Sequence, residues 1–369
     1  MKVLYIGHFT NGTSGWRQAA LDYLLAMDSV GIDVVPRSVR LNDSKPEMPE
    51  RYKELESKSI KGCDVVIQHV LPHHLKYDGR FNKNIALCVY ESAGQFLSNW
   101  DSKINMMDEL WVPSEFTRNV FDSSGITRPI KIVPHTFNLN KYKQKYDKID
   151  NSDISGNYIF YTIADLNIRK NLRAIVEAFH LEFTPNEPVK LIIKSQKFGK
   201  SAQETFELIK SECDKIKDGM KLYRNRDVYH RELIITTQLS ELELMQLHAT
   251  GNCYVNSSHG EAWCIPLFEA MAMGKQLIFP EHMYDYLDDY YPSQGMYPIT
   301  SSENICFGCT DTFWEIGSSR ESWNEYSINN IAEQMRRAYN ERNLQNDNSY
   351  IAENYNYETV GNHIRSMLW

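Results

Sequence analysis

Met1 to Gly7 is a nearly continuous apolar run closed by glycine, and runs of this kind return along the whole chain with helical segments between them. A strand that is apolar throughout, instead of alternating, is buried on both faces, as in a parallel sheet covered by helices. Further strands are predicted at 32–35, 64–68, 85–90, 109–112 and 130–133. Between 138 and 156 the pattern stops and Lys, Asp, Asn and Ser take over; at 158 it restarts. Strands then follow at 158–163, 189–194, 233–237, 253–255 and 276–279, with a helix at 329–339 and another in the tail, where Val360, Ile364 and Leu368 share one face. This alternation predicts an α/β chain of two doubly wound, Rossmann-like domains. At 369 residues and 42% hydrophobic content the chain is too long for one ordinary core. The domains are read as 1–140 and 157–345, with a linker at 141–156 and a C-terminal helical segment at 346–369.

The formal charge is −8, unevenly spread. Residues 1–150 hold 20 Lys and Arg against 18 Asp and Glu, and the remainder 20 against 30. Neither half has the polybasic stripe that binds nucleic acid, which argues against such a partner. No run of 18 or more apolar residues and no signal-like opening occurs, so a cytoplasmic protein without a membrane span is expected, with room left for peripheral membrane contact. Seven cysteines without a framework fit reduced thiols. Cys306 and Cys309 form a lone C-x-x-C, and a zinc site would need His259 or His282 from far along the chain, so a structural role is the better reading.

The most informative stretch runs from Ser257 to Gly274. A short strand at 253–255 enters a loop, and Pro266 opens a helix at a position where its missing N–H costs nothing. The amides of 262–265 then face the loop with the helix dipole behind them, an arrangement that suits phosphate. Glu261 precedes that site and Glu269 follows it in what reads as the first turn, so the two carboxylates can address sugar hydroxyls at opposite ends of a ligand whose middle is a phosphate. Singly, each residue also fits a structural role: Ser258 and Glu261 have capping-box spacing, and Ala270, Ala272 and Gly274 permit close packing. In the first half, His8, His69 and Glu91 leave strands at the carboxyl ends, where doubly wound sheets bind ligands. His73 and His74 read as a solvated pair and His135 as structural.

Taken together, the Gly-Glu, the aromatic loop, Pro266, the second Glu eight residues on and the small-residue helix resemble the signature of the family 4 retaining glycosyltransferases of GT-B fold. Trp111 to Arg118 resembles the family's W-V-P-S stretch, with Ser114 as a helix cap, and Asp165 to Lys170 its G-R-L-x-x-x-K turn. The resemblance implies two Rossmann-like domains facing a central cleft, the N-terminal one for the acceptor and the C-terminal one for the donor, with a terminal helix crossing back to the first domain. It implies Glu261 on the donor sugar, Glu269 on the ribose, the amides of Ala262, Trp263, Cys264 and Ile265 on the diphosphate, and Lys170 as the cation that stabilises the leaving group. Asp165 takes the place of the family's Arg, so either Arg169 substitutes for it or one cation is missing altogether; Lys194 joins the donor set. Gly12 and Gly15 supply a loop that closes over a substrate, and Glu91 stands where many members have a catalytic His. Cys264 replaces the family's usual glycine, where a side chain crowds the phosphate or alters the backbone angles.

The implied activity is transfer of a sugar from a UDP-, GDP- or other nucleotide sugar to a glycan, a lipid-linked sugar or a small molecule, in glycan or glycoconjugate synthesis. No cofactor is implied beyond that donor. No Asp-x-Asp closes a strand and Asp288-Asp289 sits in a tyrosine-rich loop, so no metal is expected. The rival readings are an epimerase or phosphorylase of the same fold, and a non-catalytic partner subunit, for which Asp165, Glu91 and Cys264 speak.

Overall fold

The computed structural model describes residues 1–10, 14–40, 47–287, 294–310 and 317–369. The chain divides into two compact units, Met1–Leu139 with Tyr350–Trp369, and Asn140–Ser349. Residues 141–156, read above as a linker, lie in the second unit, where Tyr142 is buried.

The first unit is built on six parallel strands: β1 (Lys2–Gly7), β2 (Asp33–Ser38), β3 (Val65–His69), β4 (Lys83–Leu87), β5 (Glu109–Val112) and β6 (Ile130–Ile132). Their order is β2-β1-β3-β4-β5-β6. The chain passes from β1 to one side and then returns to the other, so the switch point lies between β1 and β3. Val3, Tyr5, Val34, Val65, Ile67, Ile85, Leu87 and Trp111 supply its core from the strands. Ser14 caps the helix Gly15–Ser29 by accepting from the Arg17 amide, and Ser114 caps Glu115–Ser123 through Thr117. The strand predicted at 85–90 stops at Leu87, so Glu91 sits on the loop beyond it, half-buried.

The second unit repeats the plan with β7 (Tyr158–Asp165), β8 (Val189–Gln196), β9 (Leu233–Ile235), β10 (Cys253–Val255), β11 (Gln276–Pro280) and β12 (Met296–Ile299). Their order, β12-β11-β10-β7-β8-β9, is again all parallel, and here the switch point lies between β7 and β10. A two-stranded antiparallel ribbon, β13 (Ser301–Ile305) and β14 (Ser322–Tyr326), is added after the sheet. The capping box at Ser240 and Glu243 forms with both of its reciprocal bonds.

The helix Tyr357–Leu368 belongs to the first unit, where Val360, Ile364 and Leu368 enter the core beside Leu24 and Met27 of the helix Gly15–Ser29. Each such aliphatic burial stabilises by about 1.5–3 kcal/mol. The two helices meet at Gly361, where an added Cβ would lie 2.4 Å from the Ala26 carbonyl oxygen and 2.9 Å from Val30 Cγ1. A backbone oxygen cannot swing aside. Gly361→Ala is therefore expected to cost about 1–3 kcal/mol in urea unfolding; a variant as stable as the parent would mean that the two helices tolerate separation.

Candidate active site

In doubly wound sheets ligands bind outside the carboxyl ends of the strands at the switch point. In the second unit that position is framed by the turn after β7 and the loop after β10. The β7 turn runs through a short 3-10 segment, Ile168–Lys170, whose Asn167 side chain accepts from the Lys170 amide, and Asn171 then enters the left-handed region at φ 49°. The β10 loop is stitched to it: the His259 amide donates to the Arg169 carbonyl at 2.8 Å and Ser257 Oγ to the Asn171 carbonyl at 3.0 Å. Strand β14 supports the far side of the loop. Trp323 stacks on His259 with centroids 4.3 Å apart, Tyr326 Oη donates to the Ser258 carbonyl at 2.9 Å, and Tyr286 Oη donates to the Glu261 carbonyl.

This scaffold buries the Glu261 carboxylate and surrounds it with donors. Lys170 Nζ lies 2.5 Å from Oε1, Ser258 Oγ 2.7 Å from Oε1, and Arg169 Nη1 3.2 Å from Oε2. Arg169 also donates to the Gly260 carbonyl at 2.6 Å. Burial alone pushes the Glu261 carboxyl up, but the Lys170 and Arg169 charges and the hydrogen bonds outweigh it and hold the group at about 2. Two cations against one carboxylate leave this cluster of three side chains with one net positive charge. The structure thus brings Arg169, Lys170 and Glu261 together, while Asp165 ends β7 exposed.

Glu269 is the fifth residue of the helix Ile265–Ala272 and so stands in its second turn, not the first; Pro266 is the second residue. Buried, it accepts from Tyr142 Oη at 2.9 Å, with Lys141 Nζ at 3.7 Å and His248 Nε2 3.4 Å from its other oxygen. Burial raises this carboxyl, and His248, Lys141 and Tyr142 more than offset it, so the net shift is downward. A carboxylate has about four acceptor sites, which leaves capacity for a further hydrogen-bond donor. Tyr142, Lys141 and His248 were not read as site residues from sequence, because the first two fall where the apolar pattern stops and the third is one polar residue on a helix without a marked apolar face. Ser258 did carry a signal in its spacing to Glu261, but it serves the carboxylate directly and caps no helix.

Cys264 is the N-cap of that helix and lies in the left-handed region, φ 67° and ψ 69°. The loop keeps the backbone conformation of a glycine although a side chain is present. The thiol accepts from Asn256 Nδ2 at 3.0 Å, and burial pushes its pKa up to about 12. Ala262 and Trp263 are buried, Trp263 stacking on Phe268 with centroids 4.3 Å apart, and Ile265 is half-buried. Among the described residues the amides of Ala262, Cys264 and Ile265 have no backbone acceptor. Lys194 is buried on β8 beside Ile163, and desolvation lowers its pKa against a smaller opposing pull from Asp165. Glu91 and Gly15, the first residue of its helix, belong to the first unit, and Gly12, like Asp288 and Asp289, lies outside the described residues. Among the described residues no group of three or more His, Cys, Asp or Glu side chains is disposed to hold a metal ion. No described helix is long and apolar enough to cross a membrane.

No family model matches this chain, and no curated protein matches it by sequence. Solved structures do match. The chain is similar over 100% of its length to sucrose-phosphate synthase from Thermosynechococcus elongatus, with 98% of that chain covered, a TM-score of 0.64 and 12% identity. A trehalose-6-phosphate protein of E. coli bound with UDP-2-fluoro glucose matches over 100% of this chain and 99% of its own, with a TM-score of 0.64 and 10% identity. The lipopolysaccharide outer core galactosyltransferase WaaB matches over 100% and 99%, with a TM-score of 0.61 and 12% identity. The chain has the GT-B fold. In that fold the Glu261 cluster occupies the switch point of the second Rossmann-like unit.

Two outcomes are expected of this site. Ionised Glu261 has its pKa held below the unfolded value, so its stabilisation is complete above the ordinary carboxylate range and is lost as pH falls toward 2. Glu261→Gln should cost about 3–5 kcal/mol at pH 7 by stripping a buried cation pair of its anion. In urea melts the gap to the parent should narrow between pH 5 and pH 2.5; a constant gap would show that the carboxylate is not held ionised. At Cys264 the strain belongs to the backbone. Cys264→Gly should stay within about 1 kcal/mol of the parent, whereas Cys264→Val, β-branched at positive φ, should lose about 1–3 kcal/mol. Equal stabilities of the two variants would remove the strain.

Proposed function

We propose that this protein is a retaining glycosyltransferase that takes a sugar from a nucleotide sugar and passes it to an acceptor hydroxyl, without a metal ion. The observation that carries the reading is the buried Glu261 carboxylate held by Lys170 and Arg169 at the switch point, directly before a loop whose amides lead into a helix. Support comes from the fold, shared with a protein bound with UDP-2-fluoro glucose and with a galactosyltransferase, and from the family resemblance of Glu261 and Glu269.

In this reading the donor diphosphate lies against Lys170, Arg169 and the amides of 262–265, with Lys194 as a further cation, Glu261 receives donor-sugar hydroxyls and Glu269 the ribose. The glycosidic bond to the leaving phosphate breaks as the bond to the acceptor oxygen forms on the same face of the ring, and the acceptor proton passes to the leaving phosphate. Lys170 and the helix dipole stabilise the charge that grows on the diphosphate, without reorganising during the reaction. Glu91 is assigned to the sugar or the acceptor.

A panel of nucleotide sugars followed by nucleoside diphosphate release, with NMR of the product anomer, tests this. Retention of configuration and activity in chelator are expected. Lys170→Ala should lose roughly 10²–10³ in turnover at saturating donor, and Asp165→Ala far less. Inversion, or parental turnover in Lys170→Ala, would overturn the assignment; epimerised donor or phosphate-dependent cleavage without transfer would favour the rival enzymes.

A further inference from the structure

His259 stands two residues before Glu261 and takes no part in the donor chemistry set out above. Its main chain binds two segments at once: the amide donates to the Arg169 carbonyl at 2.8 Å, and the carbonyl accepts from the Asn324 amide at 2.8 Å. The side chain doubles the second link. Nδ1 lies 2.6 Å from the Asn324 carbonyl oxygen and 3.9 Å from Glu325 Oε1. Both of these are acceptors, so Nδ1 carries the proton and donates. The ring itself lies on Trp323, with 4.3 Å between centroids and 21° between planes.

Trp323 and Asn324 belong to β14, where Asn324 stands opposite Glu303 of β13. Asn324 gives both of its main-chain groups to His259, so the loop joins the ribbon through a single residue. From that residue the geometry passes in two directions. Forward along the loop, the Gly260 carbonyl accepts from Arg169 Nη1 at 2.6 Å, and Glu261 follows with its buried carboxylate. Across to the β7 turn, the His259 amide holds the main chain of Arg169, whose side chain returns to Glu261 Oε2 at 3.2 Å. His259 therefore closes a ring of contacts that contains the carboxylate and one of its cations.

An imidazolium at this place would be a further cation beside Arg169. Burial lowers the pKa of the ring and outweighs the Asn324 carbonyl and the Glu325 carboxylate, while the Arg169 charge lowers it further, so the ring is mainly neutral at pH 7. What His259 supplies is a directed N–H and a flat face. An apolar side chain could keep the face but would leave the Nδ1 contact with Asn324 unmade.

We propose that His259 is a positioning residue for Glu261: through Nδ1 on the Asn324 carbonyl and the stack on Trp323, it makes the β13–β14 ribbon set where the carboxylate stands. The catalytic consequence rests on the glycosyltransferase reading; the positioning does not.

The test, on the whole chain, joins turnover and nucleoside diphosphate calorimetry to a double-mutant cycle in urea melts. His259→Phe keeps a ring for Trp323 and removes the donor. It should lose about tenfold in turnover at saturating donor, with nucleoside diphosphate affinity within about threefold of the parent. His259→Asn, which can place an N–H where Nδ1 stands, should recover most of that turnover. The melts need no substrate: the stability lost in Glu261→Ala should shrink by about half when His259→Phe is already present, because a carboxylate no longer held in place has less to lose. If His259→Phe fails to fold, Trp323→Leu carries the same cycle. Additive stabilities, diphosphate affinity that falls as far as turnover, or no recovery in His259→Asn would make His259 a mere support of the loop and overturn the proposal. Coupled stabilities without any transfer by the parent would sink the glycosyltransferase reading and leave the positioning; transfer by the parent with additive stabilities would do the reverse.

Discussion

The second unit is organised by one buried carboxylate and the two cations that hold it. Removing Glu261 from water is unfavourable, and Lys170, Arg169 and Ser258 make the ionised form stable there. They can do so only because the β7 turn and the β10 loop are locked to each other by the His259 amide on the Arg169 carbonyl and the Ser257 hydroxyl on the Asn171 carbonyl, and because Tyr286, Trp323 and Tyr326 support the loop from behind. A buried ion pair is a poor source of stability but a good source of geometry. With the carboxylate held, both cations keep fixed positions before any ligand arrives, which is the preorganisation that electrostatic catalysis requires.

Glu269 shows the same economy one helical turn further on. Its partners come from two separate places in the chain, Lys141 and Tyr142 at the start of the second unit and His248 on a helix, and Tyr161 fixes the imidazole through Nδ1 at 2.9 Å. Each carboxylate of the pair is thus oriented by its own set of donors, and the two sets share no member.

The sheet pattern was legible because strands buried on both faces write themselves as apolar runs: 109–112 and 253–255 were read to the residue. Strand ends were less so. Cys88 and Tyr90 are as apolar and as buried as the strand before them, yet the strand ends at Leu87, and hydropathy cannot distinguish the two cases. The order of strands, and hence the two switch points, is a property of crossovers and has no local signal. At the site, Glu261 and Glu269 stood out by spacing, whereas what each touches depended on residues up to 127 positions away. The left-handed angle at Cys264 ran against the residue's own preference, and only the tertiary context reveals that the loop imposes it.

The return of residues 350–369 to the first unit bears on how the chain is made. Domains generally fold as units and in order during synthesis. Here the first 139 residues lack the helix that fills part of their core until the whole intervening unit has been translated. The second unit is contiguous and has its whole core as soon as it is translated, whereas the first completes its core only with the tail. Until the tail is made, the face of the helix Gly15–Ser29 that Val360 and Ile364 cover has no partner from residues 350–369.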